Sequence, residues 1–207
     1  MTKQRSGSRT LLLSVLMSAP GPLVMGIGLL SGRSATQLAD FFRRSAELLA
    51  IFASFIVYRR TERNECTAQA KARMERRSNI FVGLMMCLGG TIMLLIALLS
   101  PAEDKGNVVP GLVIAVLGVI ANTLFWCKYT RLNKAEPNPI LAVQARLYRA
   151  KSLVDGCVTC ALLAVAIAPQ APVSALLDTA GSVIVSIYLF FCGTKTVWEA
   201  ARTKPTD

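Results

Sequence analysis

Four stretches of this chain, residues 10–32, 78–102, 106–127 and 156–177, contain no aspartate, glutamate, lysine or arginine. At about 1.5 Å rise per residue, roughly 20 apolar residues cover the hydrocarbon core of a bilayer, so most of the chain is committed to helices solvated by lipid. Composition agrees: 53% of the 207 residues are hydrophobic and 17% charged, whereas soluble domains carry about 25% charged residues. No large water-soluble domain remains, and a collagen-like, disordered or disulfide-stapled secreted chain is excluded.

The first run predicts span one, about 10–32, kinked at Ala19, Pro20, Gly21 and Pro22. It outruns the apolar core of a signal peptide and meets no small-residue cleavage pattern, so it is expected to stay as an anchor. The next two runs predict spans three and four, about 78–100 and 107–127, with a loop from Pro101 to Gly106 between them. Pro169, Gln170, Ala171 and Pro172 punctuate the last run and divide it between span five, 147–168, and span six, 174–194. Span two, 36–58, carries Asp40, Arg43, Arg44 and Glu47 ahead of its apolar half. The expected organisation is a tail over 1–9, a six-helix transmembrane domain over 10–196 and a short tail over 197–207, with no C-terminal cytoplasmic domain.

The net charge of +11 is distributed unevenly. With the N-terminus inside, the cytoplasmic segments hold 17 basic residues and the external loops two, Arg33 and Lys105. Short cytoplasmic loops are enriched in Lys and Arg, so both termini are expected in the cytoplasm, with the plasma membrane of a bacterium as the location. The basicity thus reports topology. The lipid bilayer is the expected partner and nucleic acid is not, because so small a cytoplasmic portion offers no broad basic face.

Cys87, Cys157, Cys160 and Cys192 lie in apolar stretches, where reduced thiols behave as small hydrophobes. The chain has no histidine, which removes the commonest metal ligand and the usual proton carrier near neutral pH. No phosphate-binding glycine loop, nucleophile elbow or zinc-protease helix is present, so neither a cofactor nor an enzyme activity is expected.

An ionised side chain at the bilayer centre costs roughly 2.5–3.5 kcal/mol on insertion scales, so the charges in spans two and five need a reason. Asp40 and Arg44, Arg43 and Glu47, and Lys151 and Asp155 are each four residues apart and share a helix face. One reading is a set of ion pairs that fixes span two against span five. The other is a pathway through the bundle interior, lined by the transport-site candidates Arg43, Glu47, Lys151 and Asp155, with Asp40, Arg44, Asn122 and Asp178 in support.

The stretch from Ser34 to Asp40, followed by Arg43 and Glu47 and ending at Arg59, resembles helix two of the cation diffusion facilitator family. Lys151 to Gly156 resembles the start of that family's helix five, and Glu75, Asn122 and Asp178 sit where the family places such residues. The resemblance implies a six-helix bundle, a homodimer, and exchange of a divalent metal ion for protons by alternating access, with the metal held between helices two and five.

The chain departs from that pattern at the decisive positions. The family offers Asp or His and then Asp on helix two, and His and then Asp on helix five; here Arg43, Glu47, Lys151 and Asp155 occupy those places. Arg has no lone pair to give and Lys has one only when deprotonated, so two of the four ligands are lost and the cation is in effect built into the protein. Cys157 and Cys160 are weak metal candidates, three residues apart in span five. The expected function is a secondary transporter of the cation diffusion facilitator type that moves a cation in exchange for protons through a central site in which Arg43 and Lys151 replace metal ligands, the substrate being a small ion or small molecule of unspecified identity. The alternative is a non-transporting six-helix membrane subunit held by its salt bridges.

Overall fold

The computed structural model describes residues 2–31, 35–62, 67–99, 109–167 and 172–202. Among these residues the chain forms seven helices and no strand: α1 (Thr2–Ser18), α2 (Pro20–Ser31), α3 (Ala35–Glu62), α4 (Ala68–Leu99), α5 (Val109–Ala135), α6 (Pro139–Ile167) and α7 (Pro172–Arg202). The all-α, six-span bundle expected from the sequence is therefore present, with α1 and α2 sharing the first span. Their junction falls at Ala19, where Pro20 opens α2 at a position that needs no backbone donor. The Ala19 N–H still reaches the Val15 carbonyl at 2.9 Å, so α1 stays hydrogen-bonded up to the first proline.

The helices run beyond the uncharged stretches that mark them. Apolar length reports bilayer thickness, whereas a helix continues for as long as its backbone is satisfied and its ends are capped. Thr67 starts α4 ten residues before the uncharged run, its Oγ1 accepting the Ala70 N–H at 3.3 Å. Asn138 starts α6 in the same way, its Oδ1 accepting the N–H groups of Ile140 at 2.9 Å and Leu141 at 3.4 Å.

The tightest packing is between α4 and α7 and between α5 and α6, with α3 lying across α4. The α4–α7 crossing depends on small residues: a Cβ on Gly83 would stand 2.9 Å from the Gly193 carbonyl, and one on Gly90 would stand 2.9 Å from the Ser186 carbonyl. Leucines, isoleucines and phenylalanines such as Leu124, Ile184 and Phe191 cover the outside, while Ser54, Gln144 and Thr196 lie buried within. That inverted pattern suits a lipid solvent. Both α4 and Val183–Arg202 of α7 are long and apolar enough to cross a membrane.

Tyr129 and Tyr148 lie near the ends of apolar stretches, where exposed interfacial aromatics are common, but both are fully buried. They stack at 5.4 Å between ring centroids, with Phe125 5.0 Å from Tyr148. Because α5 and α6 extend past their apolar runs, these positions lie inside the contact of those helices with α1. The Tyr129 hydroxyl is satisfied by Ser14 Oγ at 2.7 Å. Trp198, by contrast, is exposed beneath the guanidinium of Arg202.

Candidate functional site

A cavity of about 550 Å³ opens among α3, α5 and α6, and Met17, Ser18, Gly21 and Pro22, at the α1–α2 junction, and Met93 and Ile96 of α4 also line it. Its charged and polar walls are Arg43, Arg44 and Glu47 from α3, Asn122 from α5, and Lys151 and Asp155 from α6. Glu47 and Lys151 each stand close to the midpoint of a helix of 28 or 29 residues, so the cavity lies at the middle of the bundle.

Glu47 is the acid around which the bases gather. Its Oε1 accepts a hydrogen bond from Arg43 Nη1 at 3.1 Å and its Oε2 lies 3.2 Å from Lys151 Nζ. The first contact spans one helical turn; the second joins α3 to α6. Lys151 also sits 5.3 Å above the centre of the Tyr148 ring, whose face favours a cation.

Asp155 does not use Lys151 as its ion-pair partner, contrary to the expectation from their spacing. A helical side chain leans toward its own N-terminus, which carries the Lys151 ammonium away from Asp155, and an acid that follows its base along the helix pairs less well than one that precedes it. Asp155 Oδ2 instead accepts a hydrogen bond from Asn122 Nδ2 of α5 at 2.6 Å. Gly118 leaves the room for this contact, since a Cβ there would stand 2.6 Å from the same oxygen. Nothing in the sequence spacing of Gly118 marks it as the space for a carboxylate.

The four transport-site candidates thus line one cavity, and Asn122 and Arg44 join them. Asp40 and Asp178 belong to α3 and α7, but their side chains lie outside the described residues. Cys157 is half-buried and Cys160 exposed, both as free thiols. Among the described residues no three His, Cys, Asp or Glu side chains converge to hold a metal ion. The sequence reading missed Thr123 and Ser152, whose hydroxyls bond at 2.6 Å and tie α5 to α6 beside the cavity.

A helical bundle with an ionisable cavity at mid-height belongs to the class of membrane transport proteins. The family model of the cation efflux transmembrane domain matches residues 11–203, and the chain belongs to that family. Among curated proteins no relative matches the chain.

Proposed function

We propose that the protein is a secondary transporter that exchanges a cation for protons through the cavity among α3, α5 and α6. The observation that carries this reading is the unequal state of the two acids: Glu47 is held on both oxygens by bases, whereas Asp155 is held only by the neutral amide of Asn122 among the described residues. Asp155 is the group free to trade a proton for a cation. Lys151 acts as a tethered cation in the place where the family binds a metal, and together with Arg43 it fixes the charge of Glu47.

The cavity walls carry three bases, Arg43, Arg44 and Lys151, against the two acids Glu47 and Asp155, so positive charge is already present before any substrate enters. A divalent ion would add two more positive charges to that low-dielectric cavity, so the reading favours a monovalent or organic cation. The proposed topology places both termini in the cytoplasm, and the proposed assembly is the homodimer suggested by the family resemblance.

Flux into reconstituted vesicles tests the reading. A proton gradient should drive uptake of a cation such as sodium or potassium, and Asp155→Asn should abolish it. The double engagement of Glu47 favours a second reading, in which the charges are structural and the protein does not transport. No gradient-driven flux of any cation from the unaltered protein, together with a large stability loss on Lys151→Met, would decide for that second reading.

A further inference from the structure

Gln144 and Ser54 lie on the same helix pair as the charged cavity, each seven residues from Lys151 and Glu47 respectively. That is two helical turns, roughly 10 Å, toward the end of the bundle where α3 finishes and α4 and α6 begin. There Gln144 Nε2 donates to Ser54 Oγ at 2.8 Å, and Ser54 Oγ lies 3.5 Å from Ser78 Oγ of α4. Three helices therefore meet on a polar layer in which Ser54 and Gln144 are fully buried.

The layer contains acceptors with nothing to accept. Gln144 Oε1, Asn79 Oδ1 and Glu75 Oε1 are buried without a hydrogen-bond partner, and their residues are 0%, 6% and 9% exposed. On α4, Ser78 faces α3 and Gly83 faces α7. At roughly 100° per residue, Glu75 and Asn79 fall between those two directions and face the bundle interior, where α6 lies. Lys71, one turn before Glu75, is exposed.

Buried acceptors are almost always satisfied, and three unpaired ones on the contacting helices α4 and α6 call for a donor or cation. A single water molecule donates two hydrogen bonds and leaves one oxygen unanswered. A cation can take all of them, and it also compensates the buried carboxylate of Glu75. One carboxylate, two amide oxygens and a serine hydroxyl form an all-oxygen set that suits a hard ion, and its single negative charge matches a single positive one.

We propose that Glu75, Asn79, Gln144 and Ser78 form a second cation site, separate from the charged cavity, that binds a small hard monovalent cation of the sodium type. The site stands whether or not the protein transports, because it rests on the buried oxygens of this layer alone.

The test is thermal unfolding of the full chain in detergent at pH 8, in sodium, potassium or choline chloride at equal ionic strength. Sodium in tenfold excess over its dissociation constant should raise the midpoint by about 3–5 °C over choline. Since the transport reading also admits sodium at Asp155, the shift is read in the Asp155→Asn background, where it should persist, and adding Glu75→Gln there should abolish it. Asn79→Asp adds a second carboxylate and should transfer the response from sodium to calcium, which keeps the test open should Glu75→Gln fail to fold. Equal midpoints in sodium and choline for the unaltered protein would mean that water or a proton fills the layer, and the proposal would be overturned. It would equally be overturned by a sodium shift in Asp155→Asn that survives the addition of Glu75→Gln, by one wholly lost in Asp155→Asn alone, or by an Asn79→Asp variant indifferent to calcium.

Discussion

Lys151 Nζ lies 3.2 Å from Glu47 Oε2, a contact that joins α6 to α3 at the centre of the bundle with only 14% of either side chain exposed. Removing one partner of a buried pair costs about 3–5 kcal/mol, somewhat less where water reaches it. The two single substitutions are not equivalent, however. Lys151→Met leaves Glu47 still held by Arg43, whereas Glu47→Gln takes the acid away from both bases. Glu47→Gln is therefore the more destabilising, and the double variant loses less than the two singles together by about 1–3 kcal/mol. Thermal unfolding of the three variants in detergent measures this coupling. Additive losses would show that the pair does not hold α3 to α6.

Zinc binding separates the built-in cation from a family-type metal centre. With Arg43 and Lys151 where ligands would stand, and no histidine in the chain, the unaltered protein should show no submicromolar zinc affinity by calorimetry. The combined change Arg43→Asp and Lys151→His supplies an oxygen and a nitrogen ligand beside Glu47 and Asp155. Zinc affinity should then rise by at least about a hundredfold, in line with the strong dependence of zinc sites on ligand number. Tight zinc binding by the unaltered protein, lost on Asp155→Ala, would contradict the tethered-cation account.

The bundle was legible in the sequence because lipid imposes a length and a polarity on each span, and the contact of Arg43 with Glu47 was legible because it follows helical spacing. The contact of Lys151 with Glu47 was not, since it depends on how two helices are rotated against each other. Local spacing paired Lys151 with Asp155, and the structure assigns Asp155 to Asn122 instead. Gln144 lies just outside the expected span five, 147–168, so hydropathy alone leaves it out of the membrane. The early start of α6 at Pro139 turns it inward, where it is fully buried. The burial of Tyr129 and Tyr148 escapes the sequence for the same reason: hydropathy locates the membrane, and helix packing decides which residues beyond the apolar run are covered.

The crossing of α4 on α7 should be intolerant of even one added methyl. A Cβ on Gly83 would meet Val197 Cγ2 at 2.7 Å, the Gly193 carbonyl at 2.9 Å and the Val197 nitrogen at 3.1 Å, and two of those three atoms are backbone. Gly83→Ala should cost about 1–3 kcal/mol through forced separation of the helices. A methyl added at Gly156 would meet nothing within 4 Å, so Gly156→Ala should be neutral or stabilising by up to about 1 kcal/mol. Unfolding midpoints in the same detergent compare the two. A Gly83→Ala variant as stable as Gly156→Ala would show that α4 and α7 are less closely seated than their backbones indicate.

Gly118 and Asn122 act on one atom, Asp155 Oδ2, from neighbouring turns of α5: the glycine leaves space for it and the amide donates to it at 2.6 Å. Asn122→Ala removes the donor directly. Gly118→Ala removes it indirectly, because the new methyl occupies the place of the carboxylate oxygen and turns the Asp155 side chain away from the amide. A hydrogen bond to a charged group contributes about 1.5–3 kcal/mol, so either variant should change the half-saturating cation concentration for flux by roughly tenfold or more. Since both act through the same oxygen, combining them should do little beyond the worse single change. Flux measured in vesicles against cation concentration, for the two single variants and the double, decides the point. Multiplying effects would mean that Gly118 and Asn122 act on separate steps, and Asp155 would lose its place as the exchanging acid held by Asn122.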